Sequence, residues 1–573
     1  MRRVVFRDVA SEQWLEFSDL VDCYEVHEID QVTATLEKIE SRVNSEKLFA
    51  AGFISYEASP AFDPACEVRF DAGFPLLHFG LFRKLGRLSS LDDGKNTDLE
   101  WQMDSAPQYY ASKIDAIKKR IHAGDTYQVN FTVRQHAKNV SDAWSLFKRL
   151  GPEAPHAAFI ETDSWAICSA SPELFFSLEG KTLRSRPMKG TAPRGETLRE
   201  DEENKSWLRN SEKNRAENLM IVDMIRNDLG RVATPGSVEV ENLFRIETYP
   251  TVLQMTTGVV AQTDSSVADI LRALFPCASI TGAPKINTMR FIAQLEDSPR
   301  RIYTGSMGYI LPGRKAQFNV AIRTALVNKK NQSASYGVGG GIVWDSTARE
   351  ELAEIATKSQ ILGRADRQNY FDLLESLLWN GREFALLDRH CARIKYSAKH
   401  FGFLCSEQSI REHLQKLSET LPSDACKVRL LLSYDGNLKT EHAPLAKTNT
   451  DDLEIRLAQF PIDAHSIWLA HKTTVRQIYD EAKSWFENTD DVLLWNQYGN
   501  ITESTIANIL FERDGGLTTP EISDGLLPGT LRAETLLDGH LTESTIAVSD
   551  LKKNSNLHLF NSVRGVYRVK LKR

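Results

Sequence analysis

Two kinds of hydrophobic pattern alternate along the chain. Short apolar runs rich in β-branched residues, such as 318–327 and 428–434, predict strands, and stretches of helical periodicity separate them. With 573 residues the chain is too long for one hydrophobic core. A long amphipathic helix pattern gives way to a charged stretch, and a new strand-like run begins at Phe371. The pattern predicts an α+β protein of two parts, residues 1–364 and 365–573.

A helix pattern at 345–362 brings charged residues to the border of an apolar face. Thr347 and Glu350 form a capping box at its start, and apolar residues at helical spacing line one side. The stripe beside that side is formed by Glu351, Glu354 and Lys358. These carboxylates therefore border the interior rather than facing away from it.

A second helix pattern, at 211–231, places Glu217 within the apolar face itself. An isolated buried charge costs several kcal/mol, so this carboxylate needs a partner. Glu217 and Glu354 together suit a hard cation, because Mg²⁺ commonly takes one or two protein carboxylates plus substrate oxygens. The alternative is that each glutamate pairs with a lysine or arginine, and spacing alone favours it.

The segment 186–195 presents a lysine among residues that break regular structure. Pro187, Gly190 and Pro193 predict a constrained turn around Lys189. A lysine that is desolvated enough to lose its proton is a nucleophile. A solvated loop lysine is the commoner case, and this segment alone does not decide between the two.

Glycines and one arginine suggest a place for carboxylates. Three consecutive glycines, 339–341, stand where a strand is predicted to end, and exposed backbone N–H groups there can bind an anion. Arg323 follows an apolar run and can clamp a carboxylate with two hydrogen bonds. The turn at 280–285 is predicted to expose the hydroxyl of Thr281. Ordinary turn chemistry accounts for each feature taken singly.

Taken together, the blocks of the first part resemble those of the chorismate-utilising enzymes. The blocks are PMKGTAPR (187–194), AENLMIVDMIRNDLGR (216–231), SITGAPK (279–285), IYTGSMGY (302–309), AIRTA (321–325), GGGIV (339–343) and Glu351-x-x-Glu354-x-x-x-Lys358. Their order and spacing agree across residues 105–362, whereas residues 1–104 agree only weakly. The resemblance implies an α/β sandwich in which Glu217 and Glu354 hold Mg²⁺ against chorismate. It also implies substrate contacts from Thr281, Tyr303, Arg323, Gly340, Gly341 and Lys358.

Two positions favour one branch of that family. Relatives that add water carry a lysine base where this chain has Gln128, and an amide cannot act as that base. Lysine at position 189, where anthranilate synthases usually have alanine, is typical of aminodeoxychorismate synthases. Glu173 matches the family's general acid for the leaving hydroxyl. Gln254 stands where many relatives have histidine, so no proton transfer is assigned to it. Anthranilate synthase activity remains the alternative for this part.

The blocks of the second part resemble, in order, those of fold-type IV pyridoxal phosphate enzymes. They are the run 371–403, HKTTVRQIYDEAK (471–483), NITESTIANILF (500–511), GLLPGTLRAETL (525–536) and LFNSVRG (559–565). The resemblance implies that Lys472 holds the cofactor covalently and that Glu503 pairs with its pyridine nitrogen, so that the ring acts as an electron sink. It assigns the phosphate to a helix N-terminus and to the side chains of Arg393, Thr530 and Ser562. Thr530 comes one place earlier than the threonine of many relatives.

Fold-type IV enzymes include aminodeoxychorismate lyases as well as branched-chain and D-amino-acid aminotransferases. A lyase is the coherent partner for an enzyme that makes its substrate, so we predict two-step synthesis of 4-aminobenzoate for folate. A transaminase remains the alternative for the second part. A scaffold without activity is disfavoured, because both lysines and both metal-site glutamates are present.

The net charge and the cysteine content restrict which binding partners and which cellular location we expect for the protein. A net charge of −7 argues against nucleic acid as the main partner. The seven scattered cysteines form no CxxC pair, and none lies in the glycine-rich elbow of a glutamine amidotransferase. We therefore expect ammonia from a separate amidotransferase subunit or from solution.

The charged N-terminus and the lack of an apolar run of about 18 residues predict a cytoplasmic protein. Relatives of the second part are often dimers, which implies a homodimer through this part.

Overall fold

The chain forms two compact units in a computed structural model. One unit comprises Met1–Pro193 and Lys205–Asp366, and the other comprises Arg194–Asn204 and Arg367–Arg573. The structure describes the whole chain except residues 10, 12, 89–90, 92–98, 153, 196, 250–251, 364–370, 446–452, 514, 540, 552–556 and 573. The boundary predicted after Arg364 thus lies outside the described residues. Both units combine helices with sheets, which confirms the α+β prediction for each part.

The elements as far as residue 363 are mainly strands, with helices between them. The strands are β1 (Arg3–Asp8), β2 (Gln13–Val26), β3 (Phe49–Ile54), β4 (Leu77–Leu88), β5 (Trp101–Met103), β6 (Gln128–Ala137), β7 (Ala158–Glu161), β8 (Trp165–Ser169), β9 (Leu174–Glu179), β10 (Thr182–Arg186), β11 (Met188–Pro193), β12 (Glu239–Thr248), β13 (Val252–Gln262), β14 (Gly282–Ala283), β15 (Ser306–Leu311), β16 (Lys315–Val320), β17 (Thr324–Asn328) and β18 (Ser333–Ile342). The helices are α1 (Ile29–Glu46), α2 (Ser59–Phe62), α3 (Pro107–His122), α4 (Ala143–Leu150), α5 (Leu198–Asn210), α6 (Glu212–Gly230), α7 (Val267–Leu274), α8 (Lys285–Leu295) and α9 (Ala348–Ser359).

The strands of the first unit form one continuous antiparallel sheet whose two halves pack face to face. From β6 the ladder runs through β18, β17, β8, β7, β1, β2, β4, β3, β15, β16, β9 and β10 to β13, which also pairs with β11 and β12. Phe6, Phe53, Ile160 and Met307 belong to the core between the halves. Helices α3, α4 and α9 cover one outer face, and α1, α6 and α7 cover the other. This is the predicted α/β sandwich, in which each sheet face buries its apolar side chains.

The second unit contains two further sheets. Its strands are β19 (Leu373–Trp379), β20 (Cys426–Leu432), β21 (Leu438–Pro444), β22 (Glu454–Leu457), β23 (Asp491–Trp495), β24 (Ile501–Ser504), β25 (Asn508–Arg513), β26 (Gly516–Thr519), β27 (Leu541–Glu543), β28 (Leu557–Asn561) and β29 (Gly565–Lys572). Its helices are α10 (Leu387–Phe401), α11 (Glu407–Ser418), α12 (Ile467–Ala470), α13 (Gln477–Ser484) and α14 (Thr530–Leu537). Strands β19, β20 and β21 form an antiparallel sheet that packs on α10 and α11. The larger sheet is mixed, in the order β24–β23–β22–β29–β28–β25–β26–β27.

A short segment from the first half of the sequence belongs to the second unit. Within it, the guanidinium of Arg194 contacts Oδ2 of Asp201 through Nε at 2.9 Å and Nη2 at 2.7 Å. Arg194 also donates to the main-chain carbonyl of His400, on α10, at 2.9 Å. Asp201 is buried, so the segment is held in place by an ion pair away from solvent.

Within the described residues, no helix has the length and apolar character that crossing a bilayer requires.

Candidate active sites

Lys189 lies on an irregular edge strand rather than in a free turn. The expectation of a loop was wrong, because the segment forms β11 and pairs with β13. The register shifts between Met188 and Thr191, and Gly190 in between has a φ of 93°. Such a bulge re-aims a side chain without ending the strand, and a positive φ is easily adopted only by glycine. The glycine that suggested a turn therefore forms a bulge that exposes Lys189 to a cavity.

Gln254, on β13, holds this bulge in place. Its Nε2 donates to the main-chain carbonyl of Gly190 at 2.8 Å, and its Oε1 accepts from the hydroxyl of Thr191 at 3.1 Å. Both polar atoms of the amide form hydrogen bonds, so Gln254 fixes the position of the backbone beside Lys189. This gives a structural role to the position at which the sequence departs from the histidine of many relatives.

A cavity of about 390 Å³ opens beside the bulge. Most of the predicted site residues of the first part line it: Glu173, Lys189, Glu217, Tyr303, Arg323, Gly341, Glu354 and Lys358. Sequence analysis did not assign several other residues that also line it, namely Asn130, Lys213, Ser279 and Glu351. Gly340 and Thr281 were predicted here but are not among the lining residues.

Thr281 is buried, so the prediction of an exposed hydroxyl was wrong. Its Oγ1 lies 3.4 Å from the carbonyl of Cys277 and 3.2 Å from that of Ala278, within its own turn. The side chain of this turn that reaches the site is Ser279. Its hydroxyl donates to Oε1 of Glu173 at 2.7 Å.

Glu173 is poised to carry a proton near neutral pH. It lies just before β9 and is almost fully buried. Burial raises the pKa of its carboxyl group to about 7, while the hydrogen bond from Ser279 and the charge of Lys189 oppose the rise. An acid whose pKa lies near the working pH is suited to general acid catalysis.

The glycines at 339–341 lie at the end of β18, which stops at Ile342, as expected, and they pair with β6. Strand β17 pairs with β18 only as far as Tyr336, beyond which residues of β18 line the cavity. A Cβ atom on Gly341 would lie 2.6 Å from Nε2 of Gln128 and 3.0 Å from Nζ of Lys189. In the described residues, Nε2 of Gln128 is buried without a hydrogen-bond partner. A side chain at position 341 would therefore displace the ends of the Gln128 and Lys189 side chains.

The carboxylates of the cavity differ in how they are paired. Oε1 of Glu354 lies 2.7 Å from Nζ of Lys358, which also donates to the carbonyl of Gly339 at 2.7 Å. Oε1 of Glu351 accepts from the hydroxyl of a serine, but its Oε2 is buried and has no partner among the described residues. Burial raises the pKa of Glu217, and in the described part of the chain no lysine or arginine forms an ion pair with it. Ion pairing therefore accounts for Glu354 but not for the other two.

These open carboxylate oxygens fit a Mg²⁺ ion that also binds the substrate. Over the described ranges, no group of three or more His, Cys, Asp or Glu side chains could hold a metal by itself. Mg²⁺ usually keeps several water or substrate oxygens and takes only one or two protein carboxylates. An incomplete protein shell is therefore the expected arrangement. The unpartnered Oε2 of Glu351 is a further oxygen suited to such an ion, and sequence analysis did not assign it.

A second cavity, of about 440 Å³, lies in the other unit. All five residues predicted for the cofactor line it: Arg393, Lys472, Glu503, Thr530 and Ser562. Lys472 follows α12, and burial lowers the pKa of its amine to about 8, with the charge of Arg393 adding to the effect. A lysine with a lowered pKa loses its proton readily, as a covalent or basic role requires.

Glu503 lies on β24 inside this cavity, where three donors fix its carboxylate. It accepts from Oη of Tyr479 at 2.7 Å, from the backbone N–H of Leu527 at 3.1 Å and from Nδ2 of Asn508 at 3.3 Å. Burial raises its pKa to about 7, and the hydrogen bond from Tyr479 opposes the rise. Such a carboxylate can hold a proton between itself and a ring nitrogen.

Arg393 is oriented by a buried glutamate that sequence analysis missed. Glu375, on β19, accepts from Nε of Arg393 at 2.9 Å, from its Nη2 at 2.6 Å and from Nδ1 of His390 at 2.6 Å. Burial disfavours the charged form, but Arg393 and His390 outweigh it and lower the pKa of Glu375 to about 2. The available signal was a lone carboxylate within the apolar run LLESLLW. A buried charge of this kind needs a partner.

The helix α14 offers a phosphate site at its start. Gly529 is its N-cap and Thr530 its first residue, so N–H groups of the first turn border the cavity. The hydroxyl of Thr530 lies 3.4 Å from Nε2 of His390. The hydroxyl of Ser562 lies 3.4 Å from the carbonyl of Ser376. The predicted phosphate ligands therefore line a single cavity.

Both parts of the chain match known families. Residues 86–364 match the family described as chorismate binding enzyme, and residues 372–571 match amino-transferase class IV. The chain contains one domain of each family. The class IV domain implies pyridoxal phosphate. The half-buried Lys472, the carboxylate of Glu503 and the start of α14 fit that cofactor.

The chorismate-binding domain has close curated relatives. Aminodeoxychorismate synthase component 1 of Salmonella typhimurium is 41% identical over 262 residues, which cover 45% of this chain and 57% of that protein. The protein of the same name from Bacillus subtilis is 38% identical over 260 residues, covering 45% and 55%. The matches thus span less than two thirds of these relatives. Anthranilate synthase component I of Streptococcus pneumoniae has a similar fold, with a TM-score of 0.54 and 23% identity over 61% of this chain and 92% of that one.

Proposed function

We propose that the chain makes 4-aminobenzoate from chorismate in two steps. The chorismate-binding domain replaces the 4-hydroxyl group by an amine, and the class IV domain then removes pyruvate from 4-amino-4-deoxychorismate. The observation that carries the proposal is the bulge that exposes Lys189 to the same cavity as Glu173, a carboxyl group whose pKa is raised by burial. The identity to aminodeoxychorismate synthases over this domain supports the first step.

In the first step, Lys189 adds to the ring carbon C2 while the hydroxyl group leaves C4 as water. Glu173 supplies the proton for that water, which its raised pKa permits. Ammonia then adds at C4, and Lys189 leaves C2. Arg323 and Tyr303 bind substrate carboxylates, and Glu217, Glu351 and Glu354 hold Mg²⁺, which neutralises a carboxylate when bound.

The position of Lys189 also directs the amine to C4. While the lysine occupies C2, ammonia cannot add there, and attack at C2 is the reaction that leads to 2-aminobenzoate. Gln128, whose amide ends beside Lys189, cannot activate water as a base. Anthranilate synthase activity is therefore disfavoured, and product analysis separates 2-aminobenzoate from 4-aminobenzoate.

We propose a separate amidotransferase as the source of ammonia. Sγ of Cys23 does lie 3.2 Å from Nε2 of His78, whose Nδ1 is 3.3 Å from Glu25, which is the spacing of a cysteine–histidine–carboxylate triad. Burial, however, raises the pKa of the Cys23 thiol and lowers the pKa of His78 to about 4, so the charged pair is disfavoured. Cys23 is also paired within the β2–β4 ladder opposite Gly80. Release of glutamate from glutamine by the pure chain, abolished by Cys23→Ser, would contradict this proposal.

In the second step, Lys472 moves the proton that the elimination requires. It accepts the C4 proton of the substrate, the C3–O bond breaks, and the lysine returns a proton to the departing enolpyruvate to give pyruvate. Pyridoxal phosphate, when bound, supplies the electron sink that makes this proton acidic. Glu503 holds the proton beside the ring nitrogen, and Arg393 with the start of α14 binds the phosphate. A homodimer through this domain is part of the same proposal.

The test is to incubate the pure chain with chorismate, ammonium, Mg²⁺ and pyridoxal phosphate and to analyse the products by mass spectrometry. We expect equal amounts of 4-aminobenzoate and pyruvate. Lys472→Ala should accumulate 4-amino-4-deoxychorismate, and Lys189→Ala should stop its formation. Lys483→Ala, on the exposed side of α13, is the matched control and should behave as wild type. Formation of 2-aminobenzoate, or normal release of 4-aminobenzoate by Lys472→Ala, would contradict the proposal.

A further inference from the structure

The cavity of the class IV domain carries more positive charge than the cofactor requires. Arg393 and Lys472 serve the cofactor, and Arg532 is buried in an ion pair with Glu543. Four more basic side chains line the cavity: Lys427, Arg429, Arg476 and Arg564. Among the described residues that line it, Glu503 is the only carboxylate. Four cations therefore face this space without a matching charge from the cavity wall.

Two of the four extend from the same face of strand β20. Lys427 and Arg429 alternate with Val428, which is buried in the core between the sheet and α10. Arg429 lies opposite Ser376 of β19, another residue of the cavity wall. Arg429 is 3.2 Å from Glu441, a carboxylate that is 63% exposed and so is screened by water. Within the described chain, no carboxylate pairs with Lys427.

The other two approach from different elements. Arg564 lies in the turn between β28 and β29, two residues after Ser562. Arg476 precedes α13; it donates to the carbonyl of Thr505 at 2.6 Å and packs over the ring of Tyr479 at 4.6 Å. Neither contact neutralises a charge.

The four side chains are close enough to repel one another. Burial lowers the pKa of Lys427, and the charges of Arg429, Arg564 and Arg476 lower it further. Lys427 and Arg564 are exposed and Arg429 and Arg476 are half-buried. Like charges held together around one cavity are unfavourable until an anion binds between them. An anionic ligand would relieve this repulsion, and a ligand with two carboxylates would do so more completely than a ligand with one.

We infer that Lys427 and Arg564, with Arg429 and Arg476 beside them, bind the two carboxylates of the substrate and make the domain selective for a dicarboxylate amine. The inference deepens the proposed function and rests on it, because 4-amino-4-deoxychorismate carries a ring carboxylate and an enolpyruvyl carboxylate. An amino acid with a single carboxylate leaves half of this charge unmatched. These residues are thus specificity determinants of the second step.

The test uses the full-length holoenzyme and the variants Lys427→Gln and Arg564→Gln. With 4-amino-4-deoxychorismate as substrate, each variant should raise KM roughly tenfold, as the loss of one charge-assisted hydrogen bond predicts, with little change in kcat. Lys427→Arg should recover most of the loss. Lys439→Gln, on the exposed strand β21 next to β20, is the matched control and should leave KM unchanged. Bound cofactor and thermal unfolding are measured for each variant to verify folding.

A binding measurement without turnover separates this inference from the proposed function. Isophthalate has two carboxylates on a ring and benzoate has one, so wild type should bind isophthalate more tightly, and both glutamine variants should lose that preference. If wild type releases pyruvate but the folded variants keep wild-type KM and the preference for isophthalate, the inference is wrong. If wild type binds isophthalate through these residues but does not convert 4-amino-4-deoxychorismate, the proposed function is wrong and the dicarboxylate site stands.

Discussion

Removing the hydroxyl group of Ser279 should extend the first step to more alkaline pH. This hydroxyl donates to Glu173 at 2.7 Å, and a hydrogen bond to a carboxylate favours the ionised form. In Ser279→Ala the pKa of Glu173 therefore rises above its value of about 7. A hydrogen bond to a charged group contributes roughly 1.5–3 kcal/mol, and about 1.4 kcal/mol equals one pKa unit, so the shift should be one unit or somewhat more.

The direction in which the pH profile shifts follows from the role of Glu173 as an acid. Only the protonated form donates to the leaving hydroxyl, and this form is lost as the pH rises through the pKa. We expect the alkaline decline of activity near the raised pKa of Glu173, about 7, in the wild type, and it should move up by about one unit in Ser279→Ala. The acidic side of the profile should move much less.

The assay is kcat/KM for chorismate as a function of pH, because this quantity reports the pKa of the free enzyme. The concentration of unprotonated ammonia is held constant at every pH. Ser279→Thr keeps a hydroxyl group and should retain the wild-type profile. Thr281→Val removes a hydroxyl from the same turn that does not contact Glu173, and it should not shift the decline. If Ser279→Ala loses activity at every pH without moving the alkaline decline, the hydrogen bond does not control the acid and the reasoning is wrong.

Three further substitutions separate the two domains. Gly341→Ala would place a Cβ atom 3.0 Å from Nζ of Lys189; it should reduce aminodeoxychorismate formation at least tenfold, measured by product analysis, while pyruvate release from added intermediate stays normal. Gln254→Ala removes the amide that fastens the bulge and should lower kcat of the first step more than it changes KM for chorismate. Glu375→Ala leaves Arg393 without its buried partner, so unfolding of the variant in urea should show a loss of about 3–5 kcal/mol, and cofactor affinity should fall in equilibrium dialysis. Unchanged stability of that variant would show that the ion pair is dispensable.

Most of the site residues predicted from the sequence line the two cavities, but sequence reasoning did not predict the backbone geometry around them. Proline and glycine around Lys189 indicate irregular backbone, but they cannot distinguish a loop from a bulged edge strand. That distinction depends on pairing with β13, whose Gln254 stands 63 positions from Thr191. Local composition contains no information about a partner so far along the chain.

Contacts between buried side chains that are far apart in the sequence could not be predicted from local composition either. Helical spacing placed Glu217 within the apolar face of α6, where it is half-buried next to the buried residues of that helix, because this periodicity is local. Packing between distant residues determines the direction of the Thr281 hydroxyl. It also determines the paired hydrogen bonds from Arg393 to Glu375. The resemblance to fold-type IV enzymes implies a role for Arg393, but it does not indicate that Glu375 orients this arginine.

The segment 194–204 bears on how the protein can be dissected. It starts directly after β11, yet it is part of the compact unit that contains Lys472. A truncated clone beginning after the described end of the first domain would lack this strip and would leave the His400 carbonyl without its arginine donor. Such a fragment should be less soluble and less heat-resistant than the intact polypeptide, and supplying the missing strip as a peptide should restore it. The unit that contains the proposed pyridoxal phosphate site is therefore encoded by two separate segments of the gene. A single truncation of the coding sequence cannot produce the complete unit.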